Sequence, residues 1–414
     1  MKNIKEKNVL LSFFIAMMVP LSVYLFPLAK VISLAEISMI VMTIGIIFKH
    51  NKLYVYHDKM LFAFVCYSLV ITIINGVCYN INMQDSIIRL LRDGFYYIII
   101  YILGYSCLNY KIFVKWIKII AIMLSILIIV QQIVFVTTGY LIPGFLLNAS
   151  VSQSTSAIEI YQHTINATNR TGYLKANGFL LEAAHCSQAL AIASILIYDK
   201  NEENKSTLYL IILLSIASVL TFSASAVIYV LFIWGYIVFN IVRRKKVSKP
   251  TLGIIALIII IIIISVFFSS QVTSFSSVFD RVLEATDSNT LDGSVFTRIY
   301  KGFIFWHGLP TQNQIFGLGF GNYDQLNSLY SGIRSLNLAN SYMNSFSYLL
   351  VSSGITGIIL FAFFLVKLFL KSNEKGRVME ILLILMCISA SPYSSASWVW
   401  MMLIIIYNRK KAIN

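Results

Sequence analysis

Apolar runs of about 17–25 residues, separated by polar breaks, recur along the chain, and a run of that length is what crossing a ~30 Å hydrocarbon layer requires. The pattern predicts membrane-spanning helices over 9–28, 32–48, 60–78, 87–108, 112–137, 178–198, 207–222, 224–242, 252–268, 341–370, 378–391 and 395–407. Two pairs are joined by tight hairpins, one at Ser223 and one at Ser391-Pro-Tyr-Ser-Ser395. A membrane barrel would instead show ~10-residue segments of alternating polarity, and none is present. The expected fold is therefore an all-α polytopic membrane protein of about 12 transmembrane helices, with residues 1–414 forming a single membrane domain. The basic N-terminus leads into an apolar run broken by Pro20 and Pro27 with no small-residue cleavage site after it, so it reads as an uncleaved first span.

Lysine and arginine bias in short loops sets orientation. With both termini cytoplasmic, one side collects the basic clusters around Lys2–Lys7, Lys49–Lys59, Lys111–Lys118, Lys200–Lys205, Arg243–Lys249, Lys371–Arg377 and Arg409–Lys411. The other side holds Lys30, Arg89, Arg92, Arg170, Lys175, Arg281, Arg298, Lys301 and Arg334. Both long breaks, 138–177 and 269–340, then lie outside as loops that cap the outer face. Long loops in a chain of otherwise short ones are commonly functional.

Composition agrees. At 58% hydrophobic and 12% charged residues, with mean hydropathy +0.80, the chain falls outside the range of soluble globular proteins. The net charge of +15 is largely taken up by topology, so no nucleic-acid partner is implied. The outer basic set is rich in arginine while the inner set is mainly lysine. Lysine suffices for orientation, whereas the planar guanidinium suits bidentate contact with phosphate or carboxylate. Cys66, Cys78, Cys107, Cys186 and Cys387 fall in or beside apolar runs without metal-ligand spacing, which fits packing and implies no disulfide framework.

Three stretches could carry chemistry. In Asp85-Ser-Ile-Ile-Arg-Leu-Leu-Arg-Asp93, the spacing of Arg89 and Arg92 puts both on one helix face, either snorkelling to head groups or clamping a phosphate. In the second, Arg170 precedes Gly178-Phe-Leu-Leu-Glu-Ala-Ala-His185. A helix starting at Asn177 or Gly178 would carry Glu182 and His185 within its first two turns. There they could act as base and orienter, bind sugar, or satisfy each other. In the third, Asp292-Gly-Ser-Val-Phe-Thr-Arg298 leads into a helical pattern over 299–306 and then into Gly317-Leu-Gly-Phe-Gly321. That run lacks the strand–turn–helix setting of a nucleotide fingerprint and reads as a loop turn, with an anion-binding backbone as the alternative. His307 reads as a surface residue. No metal-ligand spacing and no Gly-x-Ser-x-Gly elbow occurs. Tyr173, Phe179, Trp306, Tyr323 and Tyr342 could stack on sugars or form an interfacial belt.

Taken together, the parts resemble the O-antigen ligase and polysaccharide polymerase (Wzy-type) superfamily. They are the many spans, Arg170 ahead of Gly-Phe-Leu-Leu-Glu-Ala-Ala-His185, and a large late external loop in which an arginine-bearing helix precedes Phe316-Gly-Leu-Gly-Phe-Gly-Asn-Tyr323. That loop ends in Asn340-Ser-Tyr342, and Ser353-Gly-Ile-Thr-Gly357 follows in the next helix. The resemblance implies a metal-independent glycosyltransferase without cofactor, in a bacterial cytoplasmic membrane. It would join undecaprenyl-diphosphate-linked oligosaccharide repeat units of O-antigen or capsule on the outer face. Arg170 and Arg298 would neutralise the diphosphate leaving group, and Glu182 or His185 would take the acceptor proton. Arg89, Arg92, Arg334 and Asn340 are further candidates for holding diphosphate or sugar. A chain-length regulator protein is an implied partner, beside membrane lipids.

Ligases of the superfamily place a histidine before the asparagine, where this chain has Ala339, and the Glu-Ala-Ala-His variant favours the polymerase branch. An O-antigen ligase-like transferase stays open as an alternative. The rival from another class is a lipid-linked oligosaccharide flippase, which would line a mid-membrane path with charge. Here ionisable residues sit near span ends, with Glu36 the main exception.

Overall fold

The structure, a computed structural model, describes residues 9–21, 25–26, 29–49, 59–82, 86–87, 90–91, 109–142, 144, 168, 173–180, 182–198, 205–243, 301–322 and 343–389. The described chain is mostly helical. Its helices are α1 (Val9–Leu21), α2 (Leu34–Lys49), α3 (Lys59–Cys78), α4 (Tyr110–Thr138), α5 (Ala183–Ile197) and α6 (Lys205–Val219). They continue with α7 (Ala224–Arg243), α8 (Lys301–His307), α9 (Thr311–Phe316), α10 (Ser345–Lys371) and α11 (Glu374–Ser389). Among them α3, α4 and α10 are long and apolar enough to cross a membrane.

Their surfaces are inside out by the standards of a soluble protein. On α3 the exposed residues include Leu69, Val70, Ile73, Ile74 and Val77, while Ser68, Thr72 and Asn75 are buried. On α4, Met123, Ile126, Ile133 and Val136 are exposed, and Ser125, Gln131 and Gln132 are buried. On α10, Ile355, Ile359, Phe363 and Val366 face out while Ser345, Ser347, Ser352 and Ser353 face in. Apolar area of this extent has to meet an apolar solvent. Polar side chains turned inward then hydrogen-bond between segments. This is the pattern of an α-helical membrane protein.

Several elements depart from the sequence expectation. The first span is described as helix over Val9–Leu21, about 20 Å at 1.5 Å per residue, and is no longer helical by Leu25, where the sequence expected it to run on to 28. The chain then turns back through a short antiparallel ribbon, β1 (Leu25–Phe26) with β2 (Ala29–Ser33), in which Leu25 lies opposite Ser33 and Phe26 opposite Ala29. This ribbon apart, the regular elements among the described residues are helices. The helix expected from 178 starts instead at Ala183, because Asn177 to Leu180 forms a turn with Gly178 at φ +54°. The 223 hairpin is as tight as expected, α6 ending at Val219 and α7 starting at Ala224. Glu36 is joined as a buried intraspan carboxylate by Glu380 on α11. Spans expected over 252–268 and 395–407, and most of 87–108, lie outside the described residues, as does the hairpin at 391–395.

Two compact units divide the chain. One comprises Met1–Met18, Glu36–Tyr110 and Asn289–Asn414, and the other Val19–Ala35 and Lys111–Ser288. In the first, α10 packs on α3, α8, α9 and α11. In the second, α5 packs on α6 and α7 and is buried on nearly all sides. Its sequence explains this. Alanines and serines in Ala-Ala-His-Cys-Ser-Gln-Ala-Leu-Ala-Ile-Ala-Ser let neighbouring backbones approach closely.

Candidate functional site

In the second unit, an irregular segment preceding α5 is held against α4 by two adjacent glutamines. Gln131 accepts from the Gly178 amide (2.9 Å) and donates to the carbonyls of Ile142 (3.1 Å) and Gly178 (3.3 Å). Gln132 donates to Leu174 O (2.8 Å) and Leu220 O (2.6 Å). Cys186 Sγ donates to Asn177 O (2.7 Å). Tyr173, Leu174, Ala176, Asn177 and Leu180 are buried. Non-helical backbone at membrane depth persists only where protein satisfies its polar groups, and here the two amide side chains do so. Gly178 suits its place because its φ is positive, and a Cβ there would also push Leu124 Cδ1 aside.

This anchored segment delivers Glu182 to the start of α5. Glu182 is the N-cap residue in extended conformation (φ −130°, ψ 146°), and its carboxylate makes no capping hydrogen bond. Its carbonyl accepts from His185 N (3.0 Å) and Cys186 N (3.2 Å). The side chains that cap a helix start are those of Asp, Asn, Ser and Thr, for about 0.5–2 kcal/mol. The longer Glu182 makes no such bond and stands exposed, with His185 half-buried one turn further in. Beside them at the same end of the unit, the α6–α7 hairpin brings a hydroxyl chain: Ser223 Oγ to Ser225 Oγ at 2.8 Å, and Ser225 Oγ to Ser187 Oγ at 3.5 Å. An exposed carboxylate at a helix start, one turn from an imidazole, is equipped to accept a proton from a hydroxyl. Tyr173 is buried and its ring packs on Phe222 (5.4 Å between ring centroids) in the core of the unit.

In the first unit the glycine-rich run is an internal wedge. At Gly354 (φ 63°, ψ −171°) helix α10 breaks, which releases carbonyls from its ladder. Val351 O and Ser352 O accept from the amides of Leu318 (2.9 Å) and Gly319 (2.8 Å). Tyr67 OH donates to Phe316 O (2.7 Å), with Ser353 O at 3.1 Å. Helix α3 supplies the rest: Thr72 Oγ1 accepts from Phe320 N (2.8 Å), and Asn75 Nδ2 donates to Gly317 O (3.0 Å). Asn322 Nδ2 donates to Leu318 O (2.9 Å), while Ser86 Oγ donates to Asn322 Oδ1 (2.6 Å). Leu318 and Phe320 are fully buried, and Phe320 packs edge-on against Phe64 and Tyr348. The amides that an anion would need are therefore already used, and the run is neither an anion cradle nor a simple surface turn.

The helix expected over 299–306 is present as α8, and His307 is exposed as expected, its carbonyl accepting from Gln314 Nε2 (2.8 Å). Trp306 Nε1 donates to Gln314 O (3.0 Å), which fixes the ring against α9. Helix α10 is capped by Asn344, whose Oδ1 accepts from Ser347 N (2.7 Å) and whose Nδ2 donates to Ile388 O (3.0 Å).

Of the residues singled out from sequence, Glu182 and His185 are placed, at adjacent turns of one helix start. Arg89, Arg92, Arg170, Arg298, Arg334 and Asn340 lie outside the described residues, as do Tyr323 and Tyr342. Sequence reasoning passed over Gln131, Gln132, Thr72, Asn75 and Tyr67. The available signal was a strong polar group inside an otherwise apolar span, which is rarely idle. Among the described residues no cluster of His, Cys, Asp and Glu is arranged to hold a metal ion. Compared with protein-family models and with curated proteins, the chain matches none.

Proposed function

We propose that this protein is a surface-polysaccharide polymerase of the Wzy type. It works in a bacterial cytoplasmic membrane with about twelve spans and both termini inside, and it joins undecaprenyl-diphosphate-linked oligosaccharide units on the outer face. The observation that carries this reading is Glu182: an exposed carboxylate at a helix start, with no capping hydrogen bond, on a segment pinned by Gln131 and Gln132. In the proposed reaction Glu182, with His185 beside it, takes the proton from the acceptor hydroxyl. Arg298 and Arg170 neutralise the departing diphosphate as its charge develops. Arg89, Arg92, Arg334 and Asn340 hold the rest of the donor.

A flippase is disfavoured by the same observation, since transport needs no exposed base at a fixed end. The break in α10, which in a transporter would open backbone carbonyls to a passing ion, is filled by Leu318 and Gly319.

The test is the surface glycan of cells carrying Glu182→Gln or Arg298→Ala in place of the wild-type gene. Each variant is expected to insert normally and to yield glycan of single repeat units. A flippase defect would leave no glycan outside. Long chains of wild-type distribution in both variants would refute the assignment.

A further inference from the structure

One turn beyond His185 on α5 lies Gln188, at 1% exposure, with neither Oε1 nor Nε2 hydrogen-bonded among the described residues. Two other buried amide side chains of this unit behave differently: Gln131 and Gln132 are both tied to backbone groups. A dry amide in an apolar interior is strongly unfavourable unless something supplies a donor and an acceptor. Along the axis, Glu182, His185 and Gln188 pass from exposed through half-buried to buried, about 9 Å in all at 1.5 Å per residue, with Gln188 about 120° around the axis from Glu182. Ser187, the next residue back, joins the Ser225–Ser223 hydroxyl chain of the hairpin. The orphaned amide thus lies about 9 Å along α5 from the candidate base, one residue from the Ser187–Ser225–Ser223 hydroxyls.

We propose that Gln188 is a specificity residue for the acceptor sugar, its side-chain amide pairing with a neighbouring donor and acceptor on that sugar: an acetamido group or a vicinal diol. This rests on the polymerase reading. A neutral amide offers one N–H edge and one carbonyl edge, and both ligand groups return the complementary pair. Recognition of this kind discriminates sharply, because an analogue lacking the group leaves the buried amide unsatisfied again.

The experiment uses the full-length protein in lipid nanodiscs. The acceptor and donor are the lipid-linked repeat units that accumulate in cells from which the gene has been deleted. For wild type and Gln188→Leu, KM and kcat of chain elongation are measured, together with the melting temperature of the substrate-free proteins. Removal of an unsatisfied buried amide is expected to leave the melting temperature unchanged or higher, while KM rises tenfold or more and kcat changes little. An unchanged KM, or a lowered melting temperature, overturns the proposal, since a purely structural glutamine gives one or the other. Inhibition of the wild type by free N-acetylglucosamine but not glucose assigns the acetamido group; equal inhibition by both assigns the diol. A wild-type protein that elongates nothing overturns the polymerase reading along with this one. An active wild type with an unaltered Gln188→Leu variant overturns this one alone.

Discussion

Gly317 and Gly354 meet back to back: a Cβ built on either would sit 2.6 Å from the backbone nitrogen of the other. Both have positive φ, +86° and +63°, and Gly354 combines this with ψ −171°, a region essentially reserved for glycine. The kink in α10 and the wedge that fills it are therefore one device. Gly354→Ala is expected to destabilise the protein by about 3 kcal/mol or more, combining backbone strain with a steric clash. Purified Gly354→Ala and Gly317→Ala in detergent should both unfold at clearly lower temperature. A wild-type melting temperature for either would show that the two segments do not pack in this way.

Thr72 holds the far side of the wedge, donating to Ser68 O (2.6 Å) while accepting from Phe320 N. Thr72→Val keeps the shape but strands a buried amide, a loss of about 1–3 kcal/mol. Thr72→Ser keeps the acceptor and should lie near wild type. Equal melting temperatures for the two variants would mean the Phe320 amide finds another partner.

Gln132 ties Leu174 O and Leu220 O to α4, and so positions the segment that carries Glu182. Gln132→Leu is expected to lower stability by about 1–3 kcal/mol for each carbonyl left unpaired. On the proposed polymerase reading it should also shorten the surface glycan, since the segment leading to Glu182 loses its support. Long chains from a protein that is demonstrably less stable would separate anchoring from activity.

Two exposed cysteines offer a check on orientation. Cys66 and Cys78 are both on α3 and exposed, twelve residues and hence about 18 Å apart along the axis. With the C-terminal end of α3 facing outward, a membrane-impermeant maleimide applied to intact spheroplasts of a Cys107→Ser background should label Cys78 and spare Cys66. Buried Cys186 and Cys387 should stay unlabelled. Labelling of Cys66, or none at Cys78, would reverse or displace the topology.

Much of this was legible without coordinates. The bounds of α3, α4, α7 and α10 follow within a few residues from apolar run length, because in hydrocarbon a span closes its own backbone hydrogen bonds and leaves a continuous local signature. The Glu182–His185 pair stood out for a related reason, as charge-bearing groups at a span boundary. What could not be read was the start of α5 at Ala183, the burial of Tyr173, and the destination of the glycine run, which looked like a loop turn by composition alone.

The sequence by itself determined where the chain can lie in a membrane and which end of α5 carries ionisable groups, since both depend on the identity of neighbouring residues. Tertiary structure alone decided that Gly317 to Gly321 plugs a broken helix, and that Gln131 and Gln132 hold Glu182 in place while Gln188 is left without a bond. The partners that settle these points are remote in sequence: Tyr67 and Phe316 are 249 residues apart, and Gln132 and Leu220 are 88. A backbone amide or carbonyl carries no mark in the sequence of which distant side chain will satisfy it; that choice is made only when the helices pack.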